Sequence, residues 1–76
     1  MPEKFEQPPT YEERFGNIAI RMKFITAQQL IEALNNQVIE EIRDGKRRLI
    51  GQILFELGYM TVEQIEAVLA VLVETG

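Results

Sequence analysis

The sequence predicts an all-α domain in which two helix-turn-helix repeats pack as four helices behind a flexible leader. Three times, a threonine is followed three positions later by Glu or Gln, the capping-box pattern of a helix start. Apolar residues then recur at intervals of three or four, as on one face of a helix. The two halves of the chain also align at an offset of 35 residues. Since neither half can bury its apolar face alone, the halves are expected to pack together.

The first repeat is predicted over residues 10–45, after a flexible leader at residues 1–9 that contains all three prolines. Thr10 and Glu13 form the first capping box, and Thr26 and Gln29 the second. The second helix is expected to end at the pair Asp44-Gly45. The predicted buried faces are Tyr11, Phe15, Ile18 and Met22 on the first helix and Leu30, Leu34, Val38 and Ile42 on the second.

The second repeat is predicted over residues 46–76. A third helix is expected from about Lys46 to Leu57, with Gly58 as the left-handed residue that ends it. Frequent β-branched residues leave a short strand near residues 53–55 as an alternative. Thr61 and Gln64 begin the fourth helix. The predicted buried residues are Ile50, Ile53, Leu54 and Leu57 on the third helix and Ile65, Val68, Leu69 and Leu72 on the fourth.

The composition argues against several classes of function. The chain has no cysteine and no histidine, which removes thiolate metal sites and the commonest general base. We therefore expect no catalytic residues and no metal ligands. The net charge is −4, and all basic residues precede Leu49, which argues against DNA binding. No apolar stretch approaches the ~20 residues of a membrane-spanning helix, so a cytoplasmic protein without membrane insertion is expected.

Two segments resemble a known family. Arg14 to Gln37 reads "RFGNIAIRMKFITAQQLIEALNNQ", and Ile50 to Leu72 reads "IGQILFELGYMTVEQIEAVLAVL". Together they resemble the N-terminal domain of type II secretion and type IV pilus assembly ATPases, also called the MshEN domain. The resemblance implies a regulatory or adaptor module without catalysis, and a component of the secretion or pilus machinery as protein partner. In that family, tandem motifs of this type can bind cyclic di-GMP.

The resemblance also implies ligand-binding positions. In the first motif these are Arg14, Phe15, Gly16, Leu30, Leu34 and Gln37; in the second they are Ile50, Gly51, Gly58, Ile65 and Leu69. The sequence departs from the pattern at three places: Lys23 replaces the turn glycine, Leu49 the second arginine, and Leu72 the closing glutamine. The second motif thus lacks the groups that hold a phosphate or guanine.

Most of these residues also have a simpler interpretation. Gly16 and Gly51 are typical of close helix packing, and the threonine–glutamine pairs of capping. Arg14 is typical of a solvated side chain, and Lys46-Arg47-Arg48 of loop charge or of a contact with an acidic partner.

The fourth helix reads "AVLAVLV" over residues 67–73, which is apolar nearly all round. It is therefore either central in the bundle or docked through Val68, Val71 and Leu72 on a protein partner or a second copy in a homodimer.

Overall fold

The computed structural model describes residues 10–75, which form four α-helices and no strand. The helices are α1 (Tyr11–Arg21), α2 (Ala27–Asp44), α3 (Ile50–Glu56) and α4 (Val62–Thr75). The prediction of an all-α domain of four helices is confirmed. The predicted leader at residues 1–9 lies outside the described residues, as does Gly76.

Capping boxes begin three of the helices, as the sequence predicts. At α1, the Thr10 hydroxyl accepts from the Glu13 backbone N–H at 3.2 Å, and the Glu13 carboxylate accepts from the Thr10 N–H. Thr26 makes the same reciprocal pair at α2 with its glutamine. Thr61 does so at α4, with distances of 3.0 and 3.1 Å to Gln64. These local bonds satisfy N–H groups that a helix start otherwise leaves without partners.

Both hairpin corners are Schellman motifs of the same geometry. In the second, the Tyr59 N–H donates to the Leu54 carbonyl and the Gly58 N–H to Phe55, with Gly58 at a φ of 83°. The first corner has the equivalent bonds, but Lys23 occupies the left-handed position with a φ of 66°. An L-residue with a side chain is disfavoured in this region, whereas glycine is not. The first corner therefore keeps the same turn as the second, with Lys23 held in a strained left-handed conformation.

Two predictions for α3 need correction. The helix begins at Ile50 and not near Lys46, because Arg47 and Arg48 are held in an extended connection by acidic groups of α1 and α2. The alternative of a strand near residues 53–55 is wrong, since this segment lies inside α3. Ile50, Ile53 and Leu54 are buried as predicted, and Leu57 is half-buried.

The buried face of α2 also differs from the predicted stripe at intervals of four. Leu30, Ala33 and Gln37 are buried, whereas Val38 is 50% exposed and Ile42 is 79% exposed. A spacing of four advances 40° per step around a helix of 3.6 residues per turn, so such a stripe drifts off the buried face. α2 therefore presents an exposed apolar ridge, made of Ile31, Val38, Ile39 and Ile42.

The helices of each repeat pack mainly on the other repeat. α1 lies chiefly against α4, and α2 chiefly against α3. The most deeply buried positions recur at the same offset of 35 as the sequence repeat. The pairs are Phe15/Ile50, Ile18/Ile53, Ala19/Leu54, Ile25/Met60 and Ala33/Val68. The core is thus shared between the repeats, and neither repeat has a core of its own.

The two corners give a matched test of turn strain. We expect Lys23→Gly to raise the free energy of unfolding by about 1 kcal/mol, because it relieves the left-handed conformation of a residue with a Cβ. Gly58→Lys should lower it by a similar amount at the equivalent position. Urea denaturation of both variants measures the change. Equal stability of the wild type and Lys23→Gly would contradict this account of the first corner.

Candidate functional site

An apolar groove lies between α1, α3 and α4 on the side of the second repeat. Its volume is about 290 Å³, and the polar groups among its lining side chains are the Gln52 amide and the Tyr11 hydroxyl. Gly51 forms part of its floor, where an added Cβ would lie 3.1 Å from Phe15 Cζ and 3.5 Å from Ile65 Cγ2. The full lining is Tyr11, Phe15, Leu49, Gly51, Gln52, Phe55, Val62, Ile65 and Leu69.

Five large side chains of the groove remain exposed. Leu49 is 60% exposed, and Phe55 and Val62 are each 49% exposed. Tyr11 and Leu69 are exposed by 36% and 37%. Single exposed apolar residues are common on protein surfaces, whereas a contiguous group around a concave surface marks a site of interaction.

The Tyr11 ring forms one wall of the groove. Its centroid lies 6.1 Å from that of Phe15, in a tilted arrangement typical of aromatic pairs. Burial raises the pKa of the Tyr11 hydroxyl, and the neighbouring Glu12 carboxylate raises it further. The hydroxyl therefore stays neutral at physiological pH, and the wall carries no charge.

The equivalent positions of the first repeat are more polar or smaller. Thirty-five residues before Leu49, Phe55 and Val62 the chain has Arg14, Ile20 and Ala27. In front of Gly16, the Leu30 side chain occupies the space: an added Cβ would lie only 2.4 Å from Leu30 Cδ2. The second repeat thus presents a more apolar surface at these positions than the first repeat does.

A buried polar cluster joins α1, α2 and the connection before α3. Gln37 is 2% exposed, and its Nε2 donates to the Arg48 carbonyl at 2.7 Å and to Glu12 Oε2 at 3.4 Å. Arg47 Nη2 lies 3.3 Å from the same Glu12 oxygen, and Arg47 also pairs with Glu41 at 2.9 Å. The side chains of this cluster satisfy one another, so the cluster stabilises the connection between the repeats.

Arg48 completes the connection with two further carboxylates. It binds Glu40 through two hydrogen bonds of 2.9 and 2.7 Å, and it pairs with Glu56 of α3. The hydrogen bond from Arg48 lowers the pKa of Glu40. For Glu12, burial by itself raises the pKa, but its backbone hydrogen bond, Arg47 and Gln37 outweigh burial and the pKa is lowered. Arg47 and Arg48 of the basic run therefore act within the fold, as structural ion pairs.

The predicted ligand-binding residues are not brought together in one open site. Gly51, Ile65, Leu69 and Phe15 share the groove. Gly58 is exposed at the α3–α4 corner. The remaining predicted positions are distributed over the core and its edge: Ile50, Gly16, Leu30 and Gln37 are buried, and Leu34 and Arg14 are half-buried.

Arg14 differs from the arginines of the connection. No hydrogen bond or ion pair engages its side chain within residues 10–75, whereas the side chains of Arg47 and Arg48 each bind two carboxylates there.

The predicted partner surface on α4 is corrected in part. Val68 is 0% exposed and lies in the core, so it does not belong to an outer face. Val71 and Leu72 are half-buried and pack against the same core.

Sequence patterns missed most of the groove, because Leu49, Phe55 and Val62 lie off the predicted buried stripes. Their one detectable signal is that each is a large apolar residue where a surface helix usually places a polar one.

No helix in residues 10–75 is long and apolar enough to cross a membrane. In the same part of the chain, no three acidic side chains are grouped so that they could hold a metal ion.

No protein-family model matches the sequence, and neither the curated proteins nor the solved structures contain a match. The resemblance to the secretion-ATPase domain therefore stays a prediction from the motifs.

The polar cluster predicts a pH-dependent stability difference for Glu12→Gln. Because the pKa of Glu12 is lowered in the fold, its contribution is present above its ordinary pKa and is lost as the pH falls through the folded value. We expect the variant to be less stable by about 1 kcal/mol at pH 7, since the ion pair with Arg47 is lost. The difference should close below a pH of about 4.

Urea denaturation at pH 7, 5 and 3 measures this difference. Glu66→Gln is the control, because Glu66 is exposed on α4 beyond its first turn, and it should cost little at any of these pH values. A Glu12→Gln difference that is the same at all three would show that the charge of Glu12 does not stabilise the fold.

Proposed function

We propose that this protein is a non-enzymatic interaction module that binds a helical segment of a protein partner in the groove between α1, α3 and α4. The observation that carries the proposal is the apolar groove itself, with five large side chains exposed around it. Burial of such side chains is worth about 25 cal/mol per Å² removed from water, so the groove supplies a driving force for association. Its lining offers no nucleophile and no acid–base pair.

The size and chemistry of the groove favour apolar anchors of a protein over a nucleotide. A site for a small polar ligand needs convergent polar groups, and the lining supplies two neutral ones, the Gln52 amide and the Tyr11 hydroxyl. A groove of about 290 Å³ accommodates a few aliphatic or aromatic side chains from one face of a helix. The motif resemblance suggests that the partner is a component of a secretion or pilus machinery, in the cytoplasm.

Substitutions at exposed groove positions test the proposal. Phe55→Ser and Leu69→Ser should each weaken binding of a secretion or pilus assembly component from the same organism about tenfold, because each removes an apolar anchor. Binding is measured by isothermal titration calorimetry with the purified components. Ile42→Ser is the matched control, since Ile42 is 79% exposed on α2 and lies outside the groove. Equal loss with all three variants would exclude the groove, and no binding by any component would refute the secretion assignment.

The alternative is a sensor for cyclic di-GMP that uses the first motif. In its favour, the Arg14 side chain has no hydrogen bond or ion pair within residues 10–75 and could therefore pair with a phosphate. Against it, Gln37 is occupied by Arg48 and Glu12, and Leu30 fills the space beside Gly16. Binding would therefore require these side chains to move.

Titration with cyclic di-GMP, followed by amide chemical shifts, decides this alternative. A sensor should show shifts at Gly16, Leu30 and Leu34 that disappear in Arg14→Ala and persist in Arg21→Ala, a control on the same helix. If the spectrum does not change at high micromolar nucleotide, the sensor function is excluded.

A further inference from the structure

We propose that the groove selects a positively charged amphipathic helix, with apolar anchors on one face and Lys or Arg beside them. This inference rests on the proposed function and specifies the chemistry of the partner. Two properties of the described residues carry it: the absence of any β-strand to pair with, and the sign of the charges around the groove.

A helix is the conformation that suits this groove. Residues 10–75 contain no strand, so the groove has no open sheet edge that could bind the backbone of an extended peptide. An extended peptide would bury N–H and C=O groups against apolar side chains without partners, which is costly. A helix satisfies its own backbone groups and presents only side chains.

The spacing of the α4 side chains fits such a helix. Val62, Ile65 and Leu69 line the groove at positions i, i+3 and i+7, over roughly 10 Å of helix at 1.5 Å per residue. Anchors at the same intervals on a partner helix cover the same length. Val73, 80% exposed, extends this face by one further turn. The partner would thus pack along α4 as an additional helix of the bundle.

The charges around the groove determine the sign of the partner. α3 and α4 carry four carboxylates and no cation, at Glu56, Glu63, Glu66 and Glu74. The third helix of the groove, α1, carries two carboxylates and two guanidinium groups, so the three helices together are negatively charged. Glu56 is paired with Arg48, whereas the three glutamates of α4 have no ion pair within residues 10–75. Glu66 is exposed and lies four residues after Val62 and three before Leu69, so it stands at the rim beside the lining side chains. Lys or Arg beside the anchors of a partner would meet these carboxylates, whereas Glu or Asp would be repelled.

Three labelled peptides test the inference. Each is about 18 residues long, since shorter helices are marginal in water. All carry leucine at i, i+3, i+4 and i+7, and they differ only in flanking residues, which are Lys, Gln or Glu. Fluorescence anisotropy measures affinity for the full chain, and amide shifts of Gly51 and Leu69 locate the site. We expect the Lys peptide to bind tightest and the Glu peptide weakest, with smaller differences at high salt.

Charge variants of the protein assign the preference to α4. Glu66→Gln should weaken the Lys peptide about two- to fivefold and leave the Gln peptide unchanged. Replacing Glu63, Glu66 and Glu74 together by Gln should abolish the preference for Lys over Gln. Asp44→Asn is the matched control, because it removes an exposed carboxylate from α2, which does not line the groove.

The outcomes separate this inference from the proposed function. If the three peptides bind at Gly51 and Leu69 with equal affinity, charge selection is refuted, while helix binding in the groove stands. If the triple variant retains the preference for Lys, the carboxylates of α4 do not cause it and the inference fails. If none of the peptides shifts the groove amides, the groove is not a helix-docking surface, and both proposals fail together.

Discussion

The fold depends on the packing of each repeat against the helices of the other. Phe15 and Ile50, which are equivalent positions of the two repeats, are both fully buried, and Phe15 closes over the backbone of Gly51. Full burial of a side chain of this size is worth about 1.5–3 kcal/mol. Since α1 lies on α4 and α2 on α3, separating the repeats would expose both residues at once. The domain is therefore expected to be one cooperative unit in spite of its internal repeat, and the groove between α1, α3 and α4 exists only when both repeats are folded.

The connection between α2 and α3 holds this arrangement in register through charge. Arg47 reaches Glu12 on α1, and Arg48 joins Glu40 on α2 to Glu56 on α3. Gln37 fastens the backbone of the same segment from the buried side. The acidic groups of the first repeat are thereby partly neutralised within the fold, while the glutamates of α4 are left without ion pairs in the described residues. The α4 carboxylates beside the groove thus receive no partner from the connection, because Arg47 and Arg48 are already paired with other carboxylates.

Local signals explain which parts of the fold could be predicted. The starts of α1, α2 and α4 follow from capping boxes, whose partners lie three residues apart and therefore form without any tertiary contact. The start of α3 was misplaced because its arginines bind residues that are distant in sequence. The stripe through Val38 was misplaced for a related reason: several apolar residues of α2 can point inward, and only the packing of α1 and α3 selects Gln37. The groove was mostly missed, since exposed apolar residues do not reveal from sequence whether they meet in one place.

The sequence by itself determined the helical class, three of the four helix starts, both corners and the pairing of equivalent core positions. Each of these depends on neighbours within one or two helical turns or on the repeat offset, so the information is local or periodic. Tertiary structure alone decided that Val68 is core, that Gln37 is a buried structural amide, and that Leu49, Phe55 and Val62 surround a groove. These features depend on which helix faces cross between the repeats. At that crossing Phe15 of the first repeat packs closely on Gly51 of the second, a contact between residues that are distant in sequence.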